Sequence, residues 1–348
     1  ALFDYFTYKG NDDFYKENPL PDDESFYNPI LPGWYSDPSI CTNGEGDYFL
    51  VTSTFTYFPG VPIFHSRDLV NWKQVGHVLS RPSQLVNMKG QHVSGGIFAP
   101  AISYNPHNKT YYMVTTNVGA GNFFVKTQDP FGEWSDPIML PEVGGIDPSF
   151  FFDEDGKCYY VGTRPNPSGV RHNGDWEIWI EELDLHAMCL KGAGTAVWKG
   201  ALKDCIWPED RTFTKKDGWY YLMIAEGGTG PEHSISIARS RSLREWFCGC
   251  KRNPIFTHRN LGRDYPVIYA GHGDLVDDAR RNWYVVMLAS RPCEGHCSIG
   301  RETFLAKVEW EDGWPVINPG IGHLTEKTEL PIGEYRLERE VTTRIYCI

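Results

Sequence analysis

The chain has 348 residues, 41% of them hydrophobic and 22% charged, with a formal net charge of −12 at pH 7. That length can bury a substantial core in one large domain or two modest ones. The acidic balance argues against nucleic acid or an anionic membrane surface as partner, and no run of about 18 apolar residues offers a membrane span.

A neutral polar ligand is left unopposed. Aromatic residues make up 14% of the chain, with 35 Gly and 24 Pro, so aromatic strands are cut by frequent turns. That balance suits an all-β fold, and aromatic faces also suit sugar rings. No charged n-region and apolar h-region follow Ala1, so no leader is expected within the chain. The nine cysteines include no CxxC pair. Cys293 and Cys297, in C-E-G-H-C, are read as uninvolved thiols ahead of a loop disulfide or a metal site with His296. The compartment stays open, with secretion or the periplasm favoured over the cytoplasm.

Residues 1–28 are acidic and aromatic and read as an N-terminal arm. From residue 29 to 325 the chain repeats itself. Five segments share one layout of a special residue, a short apolar strand, a polar turn and an aromatic-rich strand. They begin at Asp37 (DPSICTNGEGDYFLV), Ala99 (APAISYNPHNKTYYMV), Asp147 (DPSFFFDEDGKCYYV), Glu209 (EDRTFTKKDGWYYLM) and His272 (HGDLVDDARRNWYVV). The aromatic opening each second strand is Tyr48, Tyr111, Tyr159, Tyr220 or Trp283. Further strand-like runs, such as VPIFHSRDLVNWKQVG and SISIARSRSLREW, fill the intervals. About four strands per unit of roughly 50 to 60 residues are the proportions of a propeller blade, so the expectation is an all-β, five-bladed β-propeller. Residues 326–348 are expected to close the ring or run off it as an extension.

In a propeller the innermost strand of each blade lines the axial channel, and its first residues stand at the channel mouth. Asp37, Asp147 and Glu209 hold that place in three blades, His272 in a fourth, and Ala99, flanked by Phe98, in the fifth. An Asp before Pro also starts turns, so either Asp alone is ambiguous. Three acids in register around one ring are less so. Clustered carboxylates cannot all ionise cheaply, which is the condition for glycoside hydrolysis: one carboxyl donates a proton while another activates water or attacks. A hard cation bridging the acids competes with this reading, although no D-x-D-x-D-G loop is present.

At these residues the sequence resembles glycoside hydrolase family 43, a clan of five-bladed propellers that includes β-xylosidases, α-L-arabinofuranosidases and arabinanases. The blocks YFPGVPIFHSRDLVNW, GGIFAPAISY, GGIDPSFFFDEDGK, IAEGGTG and GHGDLV carry the resemblance, and its wording is nearest the exo-acting β-xylosidase and arabinofuranosidase branch. The resemblance implies Asp37 as general base, Asp147 as the residue that raises and holds the acid, and Glu209 as general acid, with inversion at the anomeric carbon. It implies Phe98 as sugar platform and Arg291 as donor to sugar hydroxyls, with Phe55 and Thr229 lining the pocket. His272 would be the axial histidine, beside a bound water or a structural Ca²⁺. No cofactor is required on this reading. The partner is a pentose-containing oligosaccharide released from xylan or arabinoxylan. Where the family's acid motif continues Glu-Gly-Pro-His, this chain reads Glu209-Asp210-Arg211-Thr212. Asp210 would raise the acid's pKa and Arg211 would oppose it, with Glu226 and Glu232 as fallback donors. Many relatives of this branch carry a C-terminal β-sandwich beyond the propeller, so the pocket is expected to be more open or completed by another subunit in a homo-oligomer. The altered loop also leaves open a propeller that binds sugar without cleaving it.

Overall fold

The computed structural model describes residues 6–8, 13–22, 24–262, 264–278, 280–329 and 341–343. Five antiparallel sheets, each built from strands consecutive in the chain, form a five-bladed β-propeller. The innermost strands are Ser39–Thr42, Ala101–Asn105, Ser149–Phe152, Glu209–Lys216 and Ile268–Asp277, for blades 1 to 5 in order. Four of the blades have four strands. In blade 3 the strand Trp176–Asp184 carries two short outer strands, Cys189–Leu190 and Thr195–Trp198. Of the expected C-terminal stretch, Lys327–Glu329 pairs with Ser25–Tyr27, and residues 330–340 and 344–348 lie outside the described residues.

The second strand of each blade reads as a continuous apolar run because both its faces are buried, and the two-residue period of a strand divides it between neighbours. In Tyr48–Val51, Tyr48 and Leu50 pack with Val276, Tyr284 and Leu305 of blade 5. Phe49 and Val51 pack with Ile102, Tyr111 and Met113 of blade 2. In the next blade Tyr112 and Val114 turn the other way, toward Phe150 and Tyr160 of blade 3. Leu222 and Ile224 of blade 4 face blade 3, whereas Tyr221 and Met223 face blade 5. Each such side chain contributes about 1.5–3 kcal/mol on burial, so the interblade cores hold the ring as a whole.

Blades 1 and 5 meet without exchanging a strand. Instead the segment before blade 1 runs along the third strand of blade 5, Glu302–Glu311. Asn28 Nδ2 donates to Leu305 O at 2.8 Å, Leu31 pairs with Thr303, and Tyr35 N donates to Arg301 O at 3.1 Å. Deeper in, Asp274 of blade 5 accepts from Ser39 Oγ at 2.8 Å and Ile40 N at 2.9 Å. The innermost strands enclose an axial cavity of about 210 Å³, lined by Ser39, Ser103, Ser149, Thr212 and Asp274 among others. Among the described residues no helix is long and apolar enough to cross a membrane.

Candidate active site

Asp37, Asp147, Glu209 and His272 stand at or near the starts of innermost strands of blades 1, 3, 4 and 5, around one mouth of the axial cavity. Several of these residues have left-handed backbone: φ is 58° at Asp37, 54° at Asp147, 48° at Asp210 and 50° at His272. Asp tolerates that region, but for His272 and for Phe55, at φ 53°, it costs roughly 1–3 kcal/mol each and marks a spot where aim takes precedence over relaxed backbone.

Asp37 is buried and sits in a ring of donors. Arg301 Nη1 reaches Asp37 Oδ1 at 2.6 Å, Ser36 Oγ donates to Oδ2 at 3.0 Å, and His272 Nδ1 lies 3.6 Å from Oδ1. Across the mouth, one carboxylate oxygen each from Asp147, Glu209 and Asp210 fall within 4.8 Å of one another. Burial raises the pKa of Asp147 strongly, and the charges of Asp210 and Glu209 add to it. Burial also pushes Glu209 up to about 8, with Asp210 next in effect and Arg211 opposing. The opposed effects of Asp210 and Arg211 in the sequence thus resolve in favour of a raised value. Asp210 itself escapes this fate. Burial works against its charge, but the His272 imidazole, with Nδ1 2.6 Å from Asp210 Oδ2, holds its pKa below the usual range. His272 is raised in return: burial lowers it, and Asp210 more than offsets that.

A carboxyl that keeps its proton to about pH 8 beside a carboxylate ion-paired to arginine is the asymmetry acid–base catalysis needs. The expected pH profile follows from the sign. With Glu209 as general acid, which acts while protonated, kcat should fall on the alkaline side as pH rises through about 8, and Glu209→Gln should remove that limb. Stability shares the direction. The folded value lies above the unfolded one, so this group's contribution is fully present below about pH 4.5 and is lost as pH rises through about 8. Asp274, raised by burial to about 6, acts in the same direction over a lower window. Thermal melting across that range should show the slope.

The structure brings together Asp37, Asp147, Glu209, His272, Phe55 and Phe98, and commits the Arg291 guanidinium to Glu302. The Phe55 and Phe98 rings lie 5.9 Å apart, and the Arg301 guanidinium lies over Phe55 at 5.8 Å. Thr229 is exposed on the loop after Trp219–Glu226. Arg291, expected as a donor to sugar, directs Nε and Nη2 at the fully buried Glu302, at 2.7 and 2.9 Å. The guanidinium at the base belongs to Arg301, which the sequence reading missed. Arg301 immediately precedes Glu302, and neighbours on a strand point to opposite faces; Glu302 takes the face shared with Arg291, leaving Arg301 for the channel mouth. Of the fallback donors, Glu226 is fully buried and accepts from Ala201 N at 2.5 Å, and Glu232 pairs with Arg259 at 3.7 Å. Cys293 and Cys297 are free thiols.

Beyond Phe55 the mouth continues as an aromatic shelf. Trp34 stacks on Phe55 at 5.5 Å and meets Tyr57 edge-on at 4.8 Å, and Trp34 and Tyr57 remain 45% and 52% exposed. Gly300 makes room for it, since a Cβ there would meet Trp34 Cδ1 at 2.5 Å.

The family model for glycosyl hydrolases family 43 matches residues 26–315. A relative from Butyrivibrio fibrisolvens named xylosidase/arabinosidase is 62% identical over 320 residues, which cover 91% of this chain and 61% of that one. The non-reducing end alpha-L-arabinofuranosidase BoGH43B of Bacteroides ovatus is 40% identical over 304 residues, covering 84% and 54% respectively. Among solved structures, a GH43_12 protein retrieved from a capybara gut metagenome aligns with a TM-score of 0.87 and 43% identity, covering 96% of this chain and 62% of that one. The chain thus spans between 54% and 62% of the length of these three proteins.

Proposed function

Because the chain belongs to glycosyl hydrolases family 43, we propose that it removes terminal β-D-xylosyl or α-L-arabinofuranosyl residues from xylan and arabinoxylan oligosaccharides, with inversion. The observation that carries this reading is the unlike pair at one mouth: Glu209 kept protonated by burial and by Asp210, and Asp37 held in an ion pair by Arg301. Asp37 takes a proton from water as the water oxygen bonds to the anomeric carbon. Glu209 gives its proton to the glycosidic oxygen as the old C–O bond breaks. In the inverting geometry the two carboxyls stand about 6.5–9.5 Å apart to admit that water. Phe55 and Phe98 would flank the sugar, and the names of the relatives support a pentose over a hexose.

A calcium ion beside His272 fits this donor set poorly. Ca²⁺ takes six to eight oxygen ligands, whereas His272 Nδ1 is occupied by Asp210 at 2.6 Å. The nearby carboxylate oxygens are those of Asp37, Asp147, Glu209 and Asp210, that of Asp37 is taken by Arg301 at 2.6 Å, and burial favours the protonated form of Asp147 and Glu209. No step is therefore routed through an ion.

The test is a panel of 4-nitrophenyl pentosides followed by proton NMR. Release of nitrophenol from a β-xyloside or α-arabinofuranoside is expected, with the sugar of opposite anomeric configuration appearing first. Retention of configuration would overturn the roles given to Asp37 and Glu209. Binding of xylo-oligosaccharides with no release from any pentoside would instead establish a sugar-binding propeller.

A further inference from the structure

The two residues after Glu209 drop out of the sheet. In blade 4, Glu209 pairs with Ala225, and pairing resumes only at Thr212 with Met223. Asp210 and Arg211 between them form a bulge, a device that re-aims a side chain at the edge of a site. Where the register shifts, the side chains tie the bulge down. Among the described residues Arg211 is the largest fully buried side chain. Its Nη2 donates to the carbonyls of Ile146, at 2.7 Å, and of Asp147, and Arg211 O accepts from Ser149 Oγ at 2.5 Å. These contacts tie the bulge to blade 3. Asp210 reaches the other way, to His272 Nδ1 of blade 5 at 2.6 Å, and one of its carboxylate oxygens lies within 4.8 Å of one from Asp147.

We infer that Asp210 is a positioning residue for the proton donor: by its bond to His272 of blade 5, opposite the ties of Arg211 to blade 3, it clamps the bulge across the channel mouth and so fixes where the Glu209 carboxyl points. This inference rests on Glu209 being the donor. Asp210 touches no reacting atom. Besides its charge, which helps keep Glu209 protonated, its effect passes through the backbone it shares with Glu209, and a donor displaced by even 1 Å loses much of its efficiency.

A clamp of this kind has a kinetic signature that a general structural role lacks. Proton donation matters most when the leaving group is poor and least when it departs as a stable anion. Asp210→Ala is therefore expected to lower kcat about 10–100-fold for an unsubstituted phenyl or alkyl pentoside, up to the lower end of the range attributed to a lost general acid. For the 2,4-dinitrophenyl pentoside it should change kcat by no more than about threefold, with KM little altered for either. Asp210→Asn is the same shape, and its amide oxygen can still accept from His272. It should recover most of the lost turnover and provides a folded variant if Asp210→Ala melts early. Equal losses on both substrates in Asp210→Ala, or no loss on either, would overturn the inference. Glu209→Gln run alongside separates the two levels. If it shows the steep leaving-group dependence and the Asp210 variants do not, the clamp alone fails. If Glu209→Gln shows none, the donor assignment falls and the clamp with it.

Discussion

Asp37→Asn and Glu209→Gln should each lower turnover of a pentoside with a poor leaving group by roughly 10³-fold, the middle of the range for a lost general base or acid. Both changes are nearly isosteric. Glu209→Gln removes a carboxyl that burial already keeps protonated, so melting should shift little or upward. Asp37→Asn replaces the partner of Arg301 at 2.6 Å and should cost some stability, because the guanidinium loses its counter-charge. Azide offers a sharper check. As a small external nucleophile it should restore turnover to Asp37→Asn and leave Glu209→Gln unrescued with the same substrate. Near-native activity in either variant would remove that residue from the chemistry.

Arg301→Met is the second large effect. It strips Asp37 of its closest cation and leaves it with Ser36 at 3.0 Å and His272 at 3.6 Å. Breaking a fully buried pair costs about 3–5 kcal/mol. Here the Arg301 side chain retains 21% exposure, so about 2 kcal/mol is the scale expected in urea unfolding. Turnover should fall about 10²-fold with the fold kept, because the base loses its orientation. There is also a signed consequence. Arg301 lowers the pKa of Glu209, so its removal should move the alkaline limb of the pH profile further upward. A limb that stays in place or moves down would show that Arg301 does not act on the donor.

The ring was legible because its repeat is written in side-chain period and turn chemistry. Each blade announces itself by a residue at the channel mouth, a polar turn and a doubly buried second strand, and the inner strands of blades 1 to 4 begin within two residues of the repeat starts, whereas that of blade 5 begins four residues before His272, at Ile268. What the repeat does not encode is which of two like residues turns inward. Arg291 and Arg301 flank the same loop of blade 5, and only the pairing of Arg291 with buried Glu302 decides between them. Nor could the sequence weigh Asp210 against Arg211. Both flank Glu209, but Asp210 is pinned as an anion by a histidine 62 residues away, whereas Arg211 is spent on the carbonyls of Ile146 and Asp147. Contacts between blades, not between neighbours in the chain, set the sign.

The seam between blades 1 and 5 carries one more implication. Residues 28–36 are stitched to the strand that begins at Glu302, and the last stitch is the salt bridge from Arg301 to Asp37. The propeller's clasp and the Asp37 carboxylate, proposed here as the base, are therefore a single fitting. A thermal fluctuation that parts the two ends of the circle must also pull that carboxylate out of register, so on the proposed mechanism activity should be lost while all five sheets are still intact.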